Sequence, residues 1–221
     1  MTTNAPAPTA AFILASASPR RRALLRRLGH DPLTHTPNIE EIPQAHETPS
    51  AYVMRLASEK ATHVAVELGW PPPPHGHPAP WVLAADTTVV LDGQLLEKPH
   101  TPAAALTMLT RLRGRTHQVL TGVAVADRRD LALHRLVVST DVTFAKVSDR
   151  CLERYVRSGE PLDKAGAYGV QGIGTVLVRE VHGSYSNVVG LPLAETLELL
   201  LSLGAIDAEI GATPLDLSTI L

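Results

Sequence analysis

The sequence predicts a mixed fold of the α/β or α+β class, and three observations carry that expectation. Short apolar runs alternate along the chain with segments whose apolar residues recur at helical spacing. A hydroxyl residue followed directly by proline opens two of the helical segments, at Ser18-Pro19 and Thr101-Pro102, which suits a cap and a first helical position. The 221 residues are 44% hydrophobic and 19% charged, a globular balance. A chain of that length buries roughly 70% or more of its unfolded surface, so it needs neither disulfides nor a structural metal to fold.

The elements follow in order. Ala11 to Ala15 is a short apolar run and reads as a strand. Ser18 then caps a helix with Leu24, Leu25 and Leu28 on one face, and Gly29 stops it. Residues 50 to 68 form a second helix, capped by Ser50, with Val53, Leu56, Ala57, Ala61, Val64 and Leu68 at helical spacing. Trp70 to Pro80 holds six of the 18 prolines and can be neither helix nor central strand, so it reads as an extended surface loop. Trp81 to Leu91 is a strongly apolar strand, Asp92-Gly93 a hairpin turn, and Gln94 to Glu97 the partner strand. Thr101 caps a third helix that ends before Gly114. Strands over His117 to Ala126 and Leu131 to Val147 flank a turn at Asp127 to Asp130. Ser148 to Ser158 is a short helix, Gly159 to Gly174 is glycine-rich, Thr175 to Val181 is a strand and Pro192 to Leu203 the last helix. Strands stand on both sides of the proline-rich loop, so the chain reads as one domain with two lobes.

Composition removes several classes of function. The net charge of -2 argues against a broad basic nucleic-acid surface and leaves room for a local anion site. The single cysteine, Cys151, excludes a disulfide framework and a cysteine-based zinc cluster, and reads as a small packed residue on a helix. No apolar run approaches the roughly 18 residues of a membrane span. Met1 to Ala11 has no signal-like pattern, so the expected location is the cytoplasm. Neither a dinucleotide fingerprint, a P-loop, a zinc-protease helix nor a nucleophile elbow is found.

Four segments can carry chemistry. Ser16-Ala17-Ser18-Pro19-Arg20-Arg21-Arg22 lies at a helix N-terminus, which favours anions. Three arginines there oppose the helix dipole, at a cost of about 0.3–1 kcal/mol each, and read either as a phosphate site or as a solvated basic face. Asp86 interrupts the apolar strand, where an acid must be paired, hydrogen-bonded or metal-bound unless it faces solvent. Lys98 in Glu97-Lys98-Pro99 can approach the Asp86 strand across the hairpin, or lie at the surface. Asp163 to Gly172 supplies glycines that let backbone approach a ligand, and Gln171, whose amide can read a base edge. By pattern alone, Glu59-Lys60 reads as a solvated helix face and Glu40-Glu41 as a solvated pair. His75 and His77 read as solvated, and His117 either positions a strand or touches a ligand.

Taken together, the segments resemble the Maf family of nucleoside triphosphate pyrophosphatases, from about Phe12 to Leu203. The resemblance rests on S-A-S-P-R-R, Glu40-Glu41, S-E-K at Ser58 to Lys60, A-A-D-T, L-E-K-P, G-R-T-H-Q-V-L-T, D-K-A-G-A-Y-G-V-Q-G and G-S-Y-S-N-V-V-G-L-P, all in order. It implies one Maf-like domain over residues 1–221, with a core at about 12–203, the proline-rich loop at 70–80 and a tail at 204–221. It implies an α/β fold like that of the inosine triphosphate pyrophosphatases: an elongated mixed sheet with flanking helices and two lobes around a cleft. It further implies hydrolysis of a nucleoside triphosphate to monophosphate and pyrophosphate, assisted by Mg²⁺ or Mn²⁺. By matching motifs, Asp86 corresponds to the proton acceptor, and Arg20, Thr87 and Gln171 to positions tied to substrate choice. Ser16, Arg21, Glu41, Lys60 and Lys98 correspond to cleft residues around phosphates and metal, with Glu41 and Asp86 as metal ligands.

A-D-T with P-R-R and V-Q-G is similar to the branch acting on dTTP and UTP. The 7-methyl-GTP branch carries a Trp in the first motif and a Gln after the aspartate, and this chain has neither. The implied partner is a small nucleotide, not nucleic acid or membrane, with a homodimer as the family's assembly. The alternatives are a nucleotide-binding regulator of cell division without turnover, and a pyrophosphatase for a modified nucleotide.

Overall fold

A computed structural model describes residues 12–69, 81–127 and 132–206. The proline-rich loop with His75 and His77, the turn after Asp127, Ala11 and the tail beyond Ile206 lie outside the described residues.

Strand β1 (Phe12–Ala15) leads into helix α1 (Pro19–Arg27), whose N-terminus is capped by the Ser18 side chain. Strand β2 (Leu33–His35) follows, then helix α2 (Pro49–Glu67) and strand β3 (Trp81–Leu91). Asp92 and Gly93 both have positive φ, 53° and 75°, the geometry of a two-residue hairpin turn into β4 (Gln94–Leu96). Helix α3 (Pro102–Leu112), β5 (Thr116–Asp127), β6 (Leu133–Phe144) and helix α4 (Asp149–Arg157) come next. Three short 3₁₀ turns between Glu160 and Leu177 lead to β7 (Val178–His182). Helices α5 (Tyr185–Val189) and α6 (Leu193–Ser202) complete the described chain. None of the described helices is long and apolar enough to cross a membrane.

The expected mixed sheet is present, with seven strands. Its order is β2-β1-β3-β5-β6-β7, and β4 pairs with the far end of β3. The β1 pairings are parallel and the rest antiparallel. Two lobes share the long strands. In one, Phe12, Leu14, Leu83 and Val125 pack on Leu24, Leu25 and Leu200 of α1 and α6, while Ala84 and Ala124 pack on α2 from the opposite face. In the other, Val89, Leu91 and Val119 pack with Leu109, Phe144, Leu152 and Tyr168.

β1 pairs with β3 only at Trp81 to Leu83, and β4 only at Val89 to Leu91. Residues 84–88 therefore have no strand neighbour on that side, and Asp86 is the middle residue of the gap. On the other side Asp86 pairs with Gly122 of β5. A Cβ on Gly122 would stand 2.4 Å from the Val53 carbonyl oxygen, so only glycine lets α2 lie this close to the sheet beside Asp86.

Several boundaries differ from expectation. Helix α2 is capped by Thr48, whose hydroxyl accepts the Ala51 N–H at 3.2 Å, with Pro49 at the first helical position; Ser50 lies inside the helix. β7 starts at Val178, after a turn in which Thr175 Oγ1 lies 2.7 and 2.8 Å from the Val170 and Gly172 carbonyl oxygens and its one proton serves this pair. β2 and α5, of three and five residues, are too short for a hydrophobic period to reveal them in the sequence.

Candidate active site

Side chains of β3 alternate between the two faces of the sheet. Val82 and Ala84 face α2, whereas Leu83 and Ala85 face the α1 side. Asp86 continues the first series and Thr87 the second, so the two neighbours serve different groups bordering the gap.

On the α2 side, Tyr52, Leu56 and Lys60 are buried at positions i, i+4 and i+8 of one helical stripe. That stripe carries Lys60, which is 6% exposed, to the sheet. Its ammonium lies 2.6 Å from Asp86 Oδ1 and 2.6 Å from Glu41 Oε1. Lys60 is therefore not on a solvated face, and Glu41 is not merely a solvated acid: both belong to a paired cluster that the periodicity does not reveal. Lys98 stays mostly exposed, its Nζ 3.9 Å from Glu41 Oε2. Burial works to raise the Glu41 carboxyl, but Lys60, Lys98 and Arg21 hold it below the ordinary carboxylate range.

On the other face, the Arg21 guanidinium is held at three nitrogens. Nε donates to the Gly190 carbonyl at 2.8 Å, Nη1 to Ser16 Oγ at 3.2 Å and Nη2 to Thr87 Oγ1 at 3.1 Å. All three partners are neutral. Burial lowers the Arg21 pKa from its usual value, an effect partly opposed by Asp86. Thr87 also bonds Thr121 Oγ1 at 2.9 Å, so its hydroxyl is occupied from within the protein.

The facing wall comes from the second lobe. Asp163 pairs with Arg20 at 3.3 Å across the cleft. Glu160 accepts hydrogen bonds from the Ile173 and Gly174 N–H groups, at 2.8 and 3.1 Å, and from the Tyr155 hydroxyl at 2.9 Å. A Cβ on Gly172 would meet Glu160 Oε2 at 2.4 Å, so a side chain there would push this carboxylate off its hydrogen bonds. Gln171 stands exposed on that loop. The cleft has a volume of about 940 Å³, and Ser16, Arg20, Arg21, Glu41, Lys60, Asp86, Thr87, Lys98 and Gln171 all line it.

Sequence reasoning missed Tyr52, and it named Glu97 within the Glu97-Lys98-Pro99 segment without giving it a role. The Tyr52 hydroxyl donates to Glu97 Oε1, and both line the cleft. The stripe spacing and the L-E-K-P motif were the available signals. His117 is settled as a core residue: it is 2% exposed, 2.8 Å from the Tyr168 hydroxyl, and edge-on to Phe144.

Burial drops the His117 pKa from 6.5 to about 4. Between those values the unfolded chain binds a proton that the folded one does not, so stability present above pH 6.5 falls as the pH drops toward 4. The expected loss is about 3 kcal/mol at most. Urea unfolding at neutral and acidic pH checks it, since His117→Gln should lose less stability on acidification than the parent. An equal loss in both would show that His117 contributes nothing to the acid sensitivity.

Comparison with known proteins adds the following. A family model described as Maf-like protein matches residues 11–203. The "dTTP/UTP pyrophosphatase" of Myxococcus xanthus is 53% identical over 189 residues, 86% of this chain and 90% of the relative. The protein of that name from Desulfotalea psychrophila is 45% identical over 190 residues, 86% of this chain and 93% of its own. The one from Salmonella typhimurium is 52% identical over 187 residues, 85% and 90% of the two chains. Among solved structures, the Staphylococcus aureus Ham1 protein overlaps 61% of this chain and 72% of its own, with a TM-score of 0.43 and 13% identity, a likeness too slight to build on.

Proposed function

The chain belongs to the Maf-like family, and from that premise we propose that it hydrolyses dTTP and UTP to the monophosphate and pyrophosphate. The observation that carries this reading is the cleft's pairing of Asp86 and Glu41 with Lys60, beside Arg20, Arg21 and Lys98. Such a site suits a polyanion whose hydrolysis needs charge neutralisation and an activated water.

Mg²⁺ or Mn²⁺ fits the donors present. Glu41 and Asp86 offer carboxylate oxygens, the donors that these ions prefer. Among the described residues, no three His, Cys, Asp or Glu are grouped to hold a metal by themselves. The chemistry such an ion supplies, when bound with the nucleotide, is Lewis-acid polarisation of phosphoryl oxygens.

The chain's own residues do the rest. Arg21 and Ser16 bind phosphate oxygens at the mouth of α1. Lys60 and Lys98 offset the charge that develops on pyrophosphate as the α–β bridge breaks. Asp86 orients water for attack at the α-phosphorus and accepts its proton. Gln171 meets the base edge, and Arg20, freed from Asp163, turns to the nucleotide. No covalent intermediate is required.

The test is a panel of triphosphates with purified protein and Mg²⁺ or Mn²⁺. Pyrophosphate release from dTTP and UTP above the other nucleotides is expected. Preference for a modified nucleotide would redirect the reading, and binding without release from any of them would abolish it.

A further inference from the structure

The G-S-Y-S-N-V-V-G-L-P segment contributes no side chain to the chemistry above, yet it reaches Arg21 through an unbroken series of bonds. Asn187 on α5 is completely buried. Its Nδ2 donates to the Val119 carbonyl of β5 at 2.9 Å and to Thr140 Oγ1 of β6 at 3.0 Å. The amide orientation is fixed by chemistry, because Oδ1 in that place would oppose a carbonyl oxygen. The Asn187 backbone carbonyl accepts the Gly190 N–H at 2.9 Å and the Thr121 hydroxyl at 3.3 Å. Gly190, at φ 124°, then presents its own carbonyl to Arg21 Nε. Thr121 closes the loop by bonding Thr87, which holds Arg21 Nη2.

We propose that Asn187 is a positioning residue for Arg21, acting through the Gly190 carbonyl and the Thr121–Thr87 pair. This rests on the reading of Arg21 as a phosphate-binding group. Arg21 has five N–H groups, of which three are held by neutral acceptors, and among the described residues it has no carboxylate partner. Its fork is thus fixed in direction with its charge uncompensated by an ion pair. Neighbouring Arg20, by contrast, is held by Asp163. A half-buried donor set already fixed by neutral partners costs little reorganisation when an anion arrives. Asn187 fixes α5 to two strands of the sheet, and so sets the angle at which Gly190 meets the guanidinium.

A double-mutant cycle tests this, read as the dissociation constant of inorganic pyrophosphate by calorimetry and as KM and kcat for dTTP. Asn187→Ala should weaken pyrophosphate binding and raise KM about tenfold in the parent. In an Arg21→Lys background, which has no fork to aim, it should change either by less than about twofold. If Asn187→Ala does not fold, Thr121→Val takes its place, with Thr121→Ser expected to restore parental binding. Equal effects of Asn187→Ala in both backgrounds, or none in the parent, would overturn the proposal alone. Unchanged pyrophosphate binding in Arg21→Lys itself would overturn the reading of Arg21, and the proposal with it.

Discussion

Asp86→Asn is expected to lower kcat for dTTP by about 10²–10⁴-fold, the range lost when a positioned general base is removed. Dissociation constants for nucleotide should change far less, because the cations that meet the phosphates remain. The substitution is nearly isosteric, and it does not strand Lys60, whose ammonium keeps Glu41 at 2.6 Å. Thermal stability should therefore stay close to that of the parent, which separates lost chemistry from lost structure. Steady-state kinetics with a melting curve on the same preparation makes the check. A variant that keeps more than about a tenth of parental turnover would remove Asp86 from the role of base.

Lys60→Met should have the largest effect on stability. Lys60 joins two carboxylates, and Asp86 is 6% exposed. Removing one partner of a buried ionic cluster leaves an uncompensated charge, a loss of about 3 kcal/mol or somewhat more. Methionine keeps the length and apolar stem, so packing changes little. The pH dependence identifies the cause. Lys60 is among the cations that hold the Glu41 pKa down, so its contribution is full above the ordinary carboxylate range and disappears as the pH falls through the depressed value. The difference between parent and variant in urea unfolding should therefore narrow on acidification. A constant difference would assign the loss to packing.

Lys60 also shows where sequence reading stops. Its helix was legible from apolar spacing, but its burial was not, because its partners lie 26 residues away on β3 and in the Glu41 loop. Only the family resemblance brought these residues together. Asp86 was easier: an acid inside an apolar run on both faces demands a partner, and local sequence suffices to say so. The arginine run divides between its two readings. Arg20 and Arg21 line the cleft, whereas Arg22 turns outward with Arg26 to share Asp31 at 2.9 and 3.0 Å. A helix rotates successive residues by about 100°, so three adjacent arginines cannot converge on one ligand. β3 and its hairpin were legible because sterics at Asp92-Gly93 are local. The three-residue β2 and five-residue α5 were not, since neither is long enough to show a period.

The interrupted edge of β3 has a mechanical consequence. On that side the sheet is cut between β1 and β4, but on the other β3 stays paired with β5 from Trp81 to Val90, through both lobes. The cleft is a notch in a continuous beam, not a gap between bodies joined by a loose strap. Widening or narrowing it means twisting two hydrogen-bonded strands, a stiff deformation spread over many residues, whereas a hinge concentrates motion in a few. Entry of a nucleotide should consequently be accommodated by side chains at the rim, above all by Arg20 leaving Asp163, while the backbone keeps its shape.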